Sequence, residues 1–191
     1  LGKIPEGWAV ATVADILAKV KRNGKVKKRD YQFEGAIPVI DQGKDFIGGF
    51  TNNTDVLHES PLPIIIFGDH TRVIKYVDFP FACGADGTQL LQSNLEKIPM
   101  TMFFYALQSI DLSSYAYARH FKFLKVQKIL VPDSATALAF DKFVSPLRHQ
   151  IQTLTDAKSV LCKTRDLFLP KLISGRLDVS DLDIDIAEEA A

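Results

Sequence analysis

Residues 140–172 read FDKFVSPLRHQIQTLTDAKSVLCKTRDLFLPKL. Within this stretch Phe140, Val144, Leu147, Ile151, Leu154, Lys158, Leu161, Arg165, Phe168 and Leu172 recur at alternating steps of four and three. That is the heptad spacing that lines one side of a coiled-coil helix. A helix of about 37 residues would be about 55 Å long at 1.5 Å per residue, more than a small domain needs for its own core. Ser145-Pro146 leaves two readings open. Ser145 caps a restarted helix with Pro146 in its first turn, or the proline sits within a continuous one. Such a stripe on a lone helix leaves apolar surface in water, so the sequence predicts a helical partner held by Val144, Leu147, Ile151, Leu154, Leu161 and Phe168. Lys158 and Arg165 fall on the same seam, where polar residues set register or partner at some cost in stability.

Upstream of Ser134 the period changes. Ile37–Asp41, Phe46-Ile47, Ile64–Phe67, Val73–Val77, Phe79–Cys83 and Gln89–Leu91 are β-rich runs bounded by Gly, Asp, Asn and Pro, and Ile129–Val131 adds a last strand before Pro132. Thr12-Val-Ala-Asp15 has the form of a capping box that opens a short helix. Pro99–Ile110 carries bulky residues at helical spacing, with Pro99 suited to the first helical position. The fold class expected is therefore α+β: a mixed, strand-rich globular domain over residues 1–133, a long coiled-coil-forming helical region over 134–179, and an acidic tail over 180–191. The 191 residues, 47% apolar and 24% charged, exclude a wholly disordered chain. No apolar run reaches the roughly 18 residues a membrane helix needs, and the N-terminus lacks signal-peptide order, so a cytoplasmic protein is expected.

Net charge is zero, but it is unevenly placed. The segment KVKRNGKVKKR (19–29) holds seven basic residues and no acid, with Asn23-Gly24 suited to a turn at its centre. Residues 178–191 hold six acids and no base. A basic block suits contact with a polyanion or forms a solvated loop. Further polar loops with interleaved aromatics are Gly68-Asp-His-Thr-Arg72 and Ser113–His120, followed by Lys122 and Lys125. Lysine and arginine release counterions from phosphates, and Arg, Gln, Asn and His can address base edges.

Catalytic and metal motifs are weak. Pro132-Asp133 with Asp156-Ala-Lys158 spells the PD…(D/E)xK pattern of metal-dependent nucleases, but 22 helical residues between the two parts would separate them by about 33 Å. Gly84-Ala-Asp-Gly-Thr88 lacks the Lys-Ser/Thr of a phosphate loop and reads as a turn between strands. The four histidines, and Cys83 with Cys162, show no metal-ligand or disulfide spacing, and Asp181-Leu-Asp-Ile-Asp185 lacks the glycine and distal glutamate of a calcium loop. No catalytic residue and no metal ligand is expected, which favours a binding module over an enzyme.

Several segments together resemble the specificity (S) subunit of type I restriction-modification systems. They are Ile4-Pro5-Glu-Gly7-Trp8, Ile37-Pro38-Val-Ile40 with Gln42-Gly43, Ile66–Arg72, Phe104–Leu112, Phe121–Pro132, and above all Leu169-Pro-Lys-Leu-Ile-Ser-Gly175 directly after the heptad helix. The resemblance runs from about residue 4 to 179. It implies a target recognition domain in 1–133, reading one half of a bipartite DNA site, and a helical spacer in 134–179 that pairs antiparallel with a counterpart. It also implies a subunit without catalysis of its own. Methyltransferase (M) and restriction (R) subunits would be its partners, and S-adenosylmethionine, ATP and Mg²⁺ would belong to them, with no cofactor in this chain. Arg22, Lys25, Lys27, Lys28 and Arg29 would then hold phosphates, Gln42, His70, Arg72, Tyr117, Arg119 and His120 would be groove contacts, and Lys21, Thr71 and Lys122 would join them in DNA binding. A full S subunit has two recognition domains and two helical regions, whereas this chain has one of each. It is expected to be either the C-terminal half of a longer subunit or a half-subunit that pairs with a second copy. A two-fold dimer would require an inverted repeat as target. The rival readings are a nuclease or a fragment of a fused restriction-methylation enzyme, and a pure assembly protein whose helix is its only working part.

Overall fold

Thr12 and Asp15 form the reciprocal cap that their spacing predicts. Asp15 Oδ2 accepts from the Thr12 amide at 3.0 Å, and Thr12 Oγ1 accepts from the Asp15 amide at 3.3 Å, joining β1 (Ala9–Thr12) to the one-turn helix α1 (Val13–Ile16). This computed structural model describes residues 3–94, 96, 98–115 and 119–179. The strands that follow are β2 (Ile37–Ile40), β3 (Gly49–Thr51), β4 (Leu57–His58), β5 (Ile64–Gly68), β6 (Ile74–Val77), β7 (Phe81–Cys83) and β8 (Thr88–Leu91). Helices α2 (Met100–Gln108) and α3 (His120–Val126), strand β9 (Lys128–Val131) and helix α4 (Ser134–Ile173) complete the order. The chain divides into two compact units, Leu1–Val144 and Ser145–Ala191.

In the first unit, two sheets lie against each other. One has the order β6-β5-β8 and the other β3-β2-β7-β4, while β1 pairs with β9. Strand β5 is buried along its whole length, which is why it reads as an unbroken apolar run rather than an alternating one. Its odd residues Ile65 and Phe67 join Tyr76, Leu91, Phe103, Phe104, Leu107 and Leu124 in a core shared with α2 and α3. Its even residues Ile64 and Ile66 face the other sheet and join Ile40, Val77, Phe81, Cys83 and Leu90. A third cluster of Val26, Ile37, Val39, Val56 and Ala82 packs against the far side of β2 and β7.

The runs at 37–40, 64–67, 73–77, 79–83, 89–91 and 129–131 all contain strands, and the long helix spans Ser134–Ile173. Three local expectations are corrected, and one left open, at Ser145-Pro146, is decided. Phe46-Ile47 is not a strand; pairing with β2 begins at Gly49, opposite Val39. No turn forms at Asn23-Gly24, because Asn23 Nδ2 donates to the Leu57 carbonyl and Val26 is bridged to Gly84, which keeps the segment extended. Pro99 is the N-cap of α2 rather than its first helical residue. Helix α4 does not restart at Ser145 but continues through Pro146, whose missing N–H costs one backbone hydrogen bond. The short strands β1, β3 and β4 and the helix α3 have no strong periodicity of their own, and the sequence does not announce them.

Candidate nucleic-acid interface

Sheet pairing gathers loops that are far apart in sequence. Strands β2 and β7 pair in parallel, Val39 opposite Ala82 and Ile40 opposite Cys83, so the turns that follow them, 41–43 and 84–87, lie side by side. Strands β5 and β8 are antiparallel with Gly68 opposite Thr88, which brings the loop 69–73 to the same end. The basic segment is drawn in by Val26, whose amide donates to the Cys83 carbonyl at 3.0 Å and whose carbonyl accepts from Ala85 at 2.7 Å. Lys25 and Lys27 on either side of the buried Val26 are left in solvent. The result is a groove of about 520 Å³ lined by Lys27, Lys28, Arg29, Gln42, Thr71 and Asp86, with Asp41 at its floor.

Asp41 is 6% exposed and is held from four directions. The Gly43 amide donates to it at 2.8 Å, the Tyr31 hydroxyl at 3.1 Å and Lys28 Nζ at 3.4 Å, while Lys75 Nζ lies 3.9 Å away. Burial alone would raise its pKa; the Gly43 amide, Tyr31 and the two lysines outweigh burial and hold the carboxyl below its ordinary value. Lys75, 4% exposed on the inner face of β6, donates to the carbonyls of Asp41 at 2.7 Å and Asp45 at 2.6 Å. Burial pulls its pKa down, against the pull of Asp41 and Asp45. Burial and then Asp41 push the Tyr31 hydroxyl up. Two ammonium groups thus surround one carboxylate, and the floor does not repel an anion. A side chain at Gly84 would collide with the Tyr31 hydroxyl and with Asp41, so this close approach requires glycine.

Sequence reasoning missed Asp41, Lys75 and Tyr31. A signal was present: Lys75 stands in the apolar run Val73–Val77, at the strand position shared with the inward Val77, where a charge demands a buried partner.

The predicted contact residues differ in what the fold leaves them free to do. Lys21, Arg22, Lys25, Lys27, Lys28 and Arg29 are all exposed, with Arg22 Nη2 donating to Gln89 Oε1 at 2.7 Å. Arg72 has a left-handed backbone (φ 63°), and its Nη1 donates to the Leu112 carbonyl at 3.1 Å, turning the side chain toward the 111–113 segment instead of the groove. His120 is 5% exposed, and its Nδ1 and Nε2 lie 2.9 Å and 2.8 Å from the carbonyls of Asp69 and Tyr115. It ties two loops together and has no ring nitrogen facing solvent. Arg119 and Lys122 are exposed, Lys122 lying over the Phe123 ring. Tyr117 lies outside the described residues.

No protein-family profile matches the chain. Two curated proteins do. Over 96 residues, half of this chain and 24% of the relative, it is 33% identical to the type I restriction enzyme EcoR124I/EcoR124II specificity subunit of Escherichia coli. Over 202 aligned residues, 94% of this chain and 46% of the relative, it is 27% identical to the MjaIX specificity subunit of Methanocaldococcus jannaschii. Among solved structures, the S subunit of a type I restriction-modification system from M. genitalium shares the fold with TM-score 0.66 at 18% identity, covering 90% of this chain and 48% of that one. The chain is similar to type I specificity subunits. A second solved chain, from work on complex assembly and conformational transition of a type I R-M system, aligns with TM-score 0.52 at 13% identity over 89% of this chain and 46% of its own length. The chain spans about half the length, or less, of these specificity subunits.

The carboxylates of the nuclease-like pattern have structural partners. Asp133 caps α4, accepting from the Thr136 amide at 2.9 Å and its hydroxyl at 2.7 Å, and those two bonds hold its carboxyl below the ordinary range. Asp156 lies within α4 and accepts from Gln152 at 2.9 Å. Among the described residues, no cluster of His, Cys, Asp or Glu is arranged to hold a metal ion. In the second unit the seam residues Leu147, Ile151, Leu154, Leu161 and Phe168 are all exposed. No described helix is long and apolar enough to cross a membrane.

Proposed function

We propose that this chain is the DNA-reading component of a type I restriction-modification complex, recognising one half of a bipartite duplex target. The observation that carries this reading is the convergence of the basic segment with three loops in one groove, on a fold shared with S subunits. Lys25, Lys27 and Arg29 are exposed beside a floor whose carboxylate is already neutralised, which is the arrangement that attracts phosphates and leaves the neighbouring loops to meet base edges. Its role ends at recognition. Methylation and cleavage, with their S-adenosylmethionine, ATP and Mg²⁺, fall to M and R subunits, and the complex works in the cytoplasm. The exposed seam of α4, with Lys158 and Arg165 on it, pairs with a like helix from a second copy or from another half of a longer subunit, and the helix length sets the distance between half-sites.

Replacing Lys25, Lys27 and Arg29 together by alanine is expected to weaken binding to cognate and random duplexes alike. The slope of log K against log salt should fall by about 1 for each phosphate that is no longer neutralised. A slope identical to that of the unaltered chain would remove the basic segment from the interface.

A further inference from the structure

Three loops meet at the side chain of Gln42. Its Nε2 donates to the Asp86 carbonyl at 2.8 Å, its Oε1 accepts from the His70 amide at 3.1 Å, and its own carbonyl accepts from Thr71 Oγ1 at 2.6 Å. A glutamine amide tied at both ends to backbone groups is held in place by the loops and is not free to turn its edge onto a base. Gln42 therefore holds loops and does not read bases, although its residue type pointed to reading.

What it holds is His70. The His70 ring is exposed and makes no hydrogen bond among the described residues, whereas its backbone is fixed on both sides. The amide of Asp69 donates to the Gly87 carbonyl at 2.7 Å, and the amide of Arg72 donates to the Gly68 carbonyl at 2.8 Å. Gly87 has φ +73°, and a Cβ there would stand 2.7 Å from both Gln42 Nε2 and His70 Cδ2. The imidazole edge thus lies against the bare backbone of Gly87, on a locked loop whose Thr71 lines the groove, while both nitrogens remain available.

Resting on the recognition reading above, we infer that His70 is the residue of this loop that contacts a base edge, and that Gln42 is a positioning residue acting through it. An imidazole N–H can donate to a purine N7, to guanine O6 or to thymine O4; guanine offers two of these acceptors on one edge, so the position read is a guanine. Among the other polar candidates, Thr71, Arg72 and His120 have side-chain atoms bonded to backbone carbonyls.

The test is selection of duplexes from a random pool by the full chain, followed by affinity measurements on the selected and on random DNA. His70→Ala is expected to weaken binding to the selected duplex by on the order of 10-fold, to leave random binding within about 2-fold, and to make the selected motif degenerate at a purine position. Because the ring makes no bond within the protein, the variant's thermal midpoint should match that of the unaltered chain. Gln42→Ala should weaken selected binding to a similar degree, and the double variant should bind no worse than His70→Ala alone, a non-additivity that a general loss of structure would not produce. Additive losses overturn the positioning role. A His70→Ala chain that selects the same motif with undiminished affinity overturns the inference while leaving DNA recognition standing. An unaltered chain that enriches no sequence overturns the recognition reading itself, and the inference with it.

Discussion

Leu154→Asp is expected to abolish self-association through the seam, giving a monomer in sedimentation equilibrium at any concentration where the unaltered chain pairs with a second copy. Leu154 stands at the middle of the seam and is 62% exposed, so the substitution disturbs nothing within its own unit. In a paired helix the same position is enclosed, and an unpartnered carboxylate there costs several kcal/mol, enough to shift association by roughly a thousandfold or more. The Leu1–Val144 unit should keep its thermal midpoint, because its core clusters contain no residue beyond Val131. Undiminished association would mean that the seam is not the pairing surface.

Asp41→Ala is expected to destabilise the first unit by about 3 kcal/mol, since it strips partners from a half-buried hydroxyl, a backbone amide and a nearby buried ammonium group. A lowered urea midpoint with an unchanged m-value would show it. Asp41 also gives stability an acid limb of known sign. Its folded pKa lies below the unfolded value of about 4, so the unfolded chain binds the proton first as pH drops. The contribution is present in full above that value and is lost as pH falls through the folded pKa. Asp41→Asn, which keeps the shape without the charge, should flatten the fall in urea midpoint between about pH 5 and pH 3. Asp133, also held below its ordinary value, remains in that variant, so some acid sensitivity should persist. An identical acid limb in Asp41→Asn would contradict the assignment.

The elements were more legible in the sequence than the site. Thr12 and Asp15 are three residues apart, the heptad of α4 repeats every seven, and the apolar run of β5 is contiguous, so each signal is written among near neighbours. The edges of weak strands such as β3 and β4 were not legible, because only pairing with β2 and β7 makes them strands. At the site, the residues of the basic segment read as available charge are exposed. Gln42 and His120 read as contacts because their side chains suit base edges, yet the fold uses their polar atoms to join loops.

By itself, then, the sequence determined an α+β unit followed by one long helix with an unpaired apolar seam, together with a basic segment free of acids. Only the tertiary structure decided that residues 27–29, 41–43, 71 and 85–86 share one groove, because that depends on the parallel register of β2 with β7 and the antiparallel register of β5 with β8. It also decided which polar side chains are left over for a ligand. That follows from the cost of burying an unpaired polar group: Asp41, Lys75, Gln42 and His120 are drawn into bonds with the protein, and His70 and the outward lysines are not.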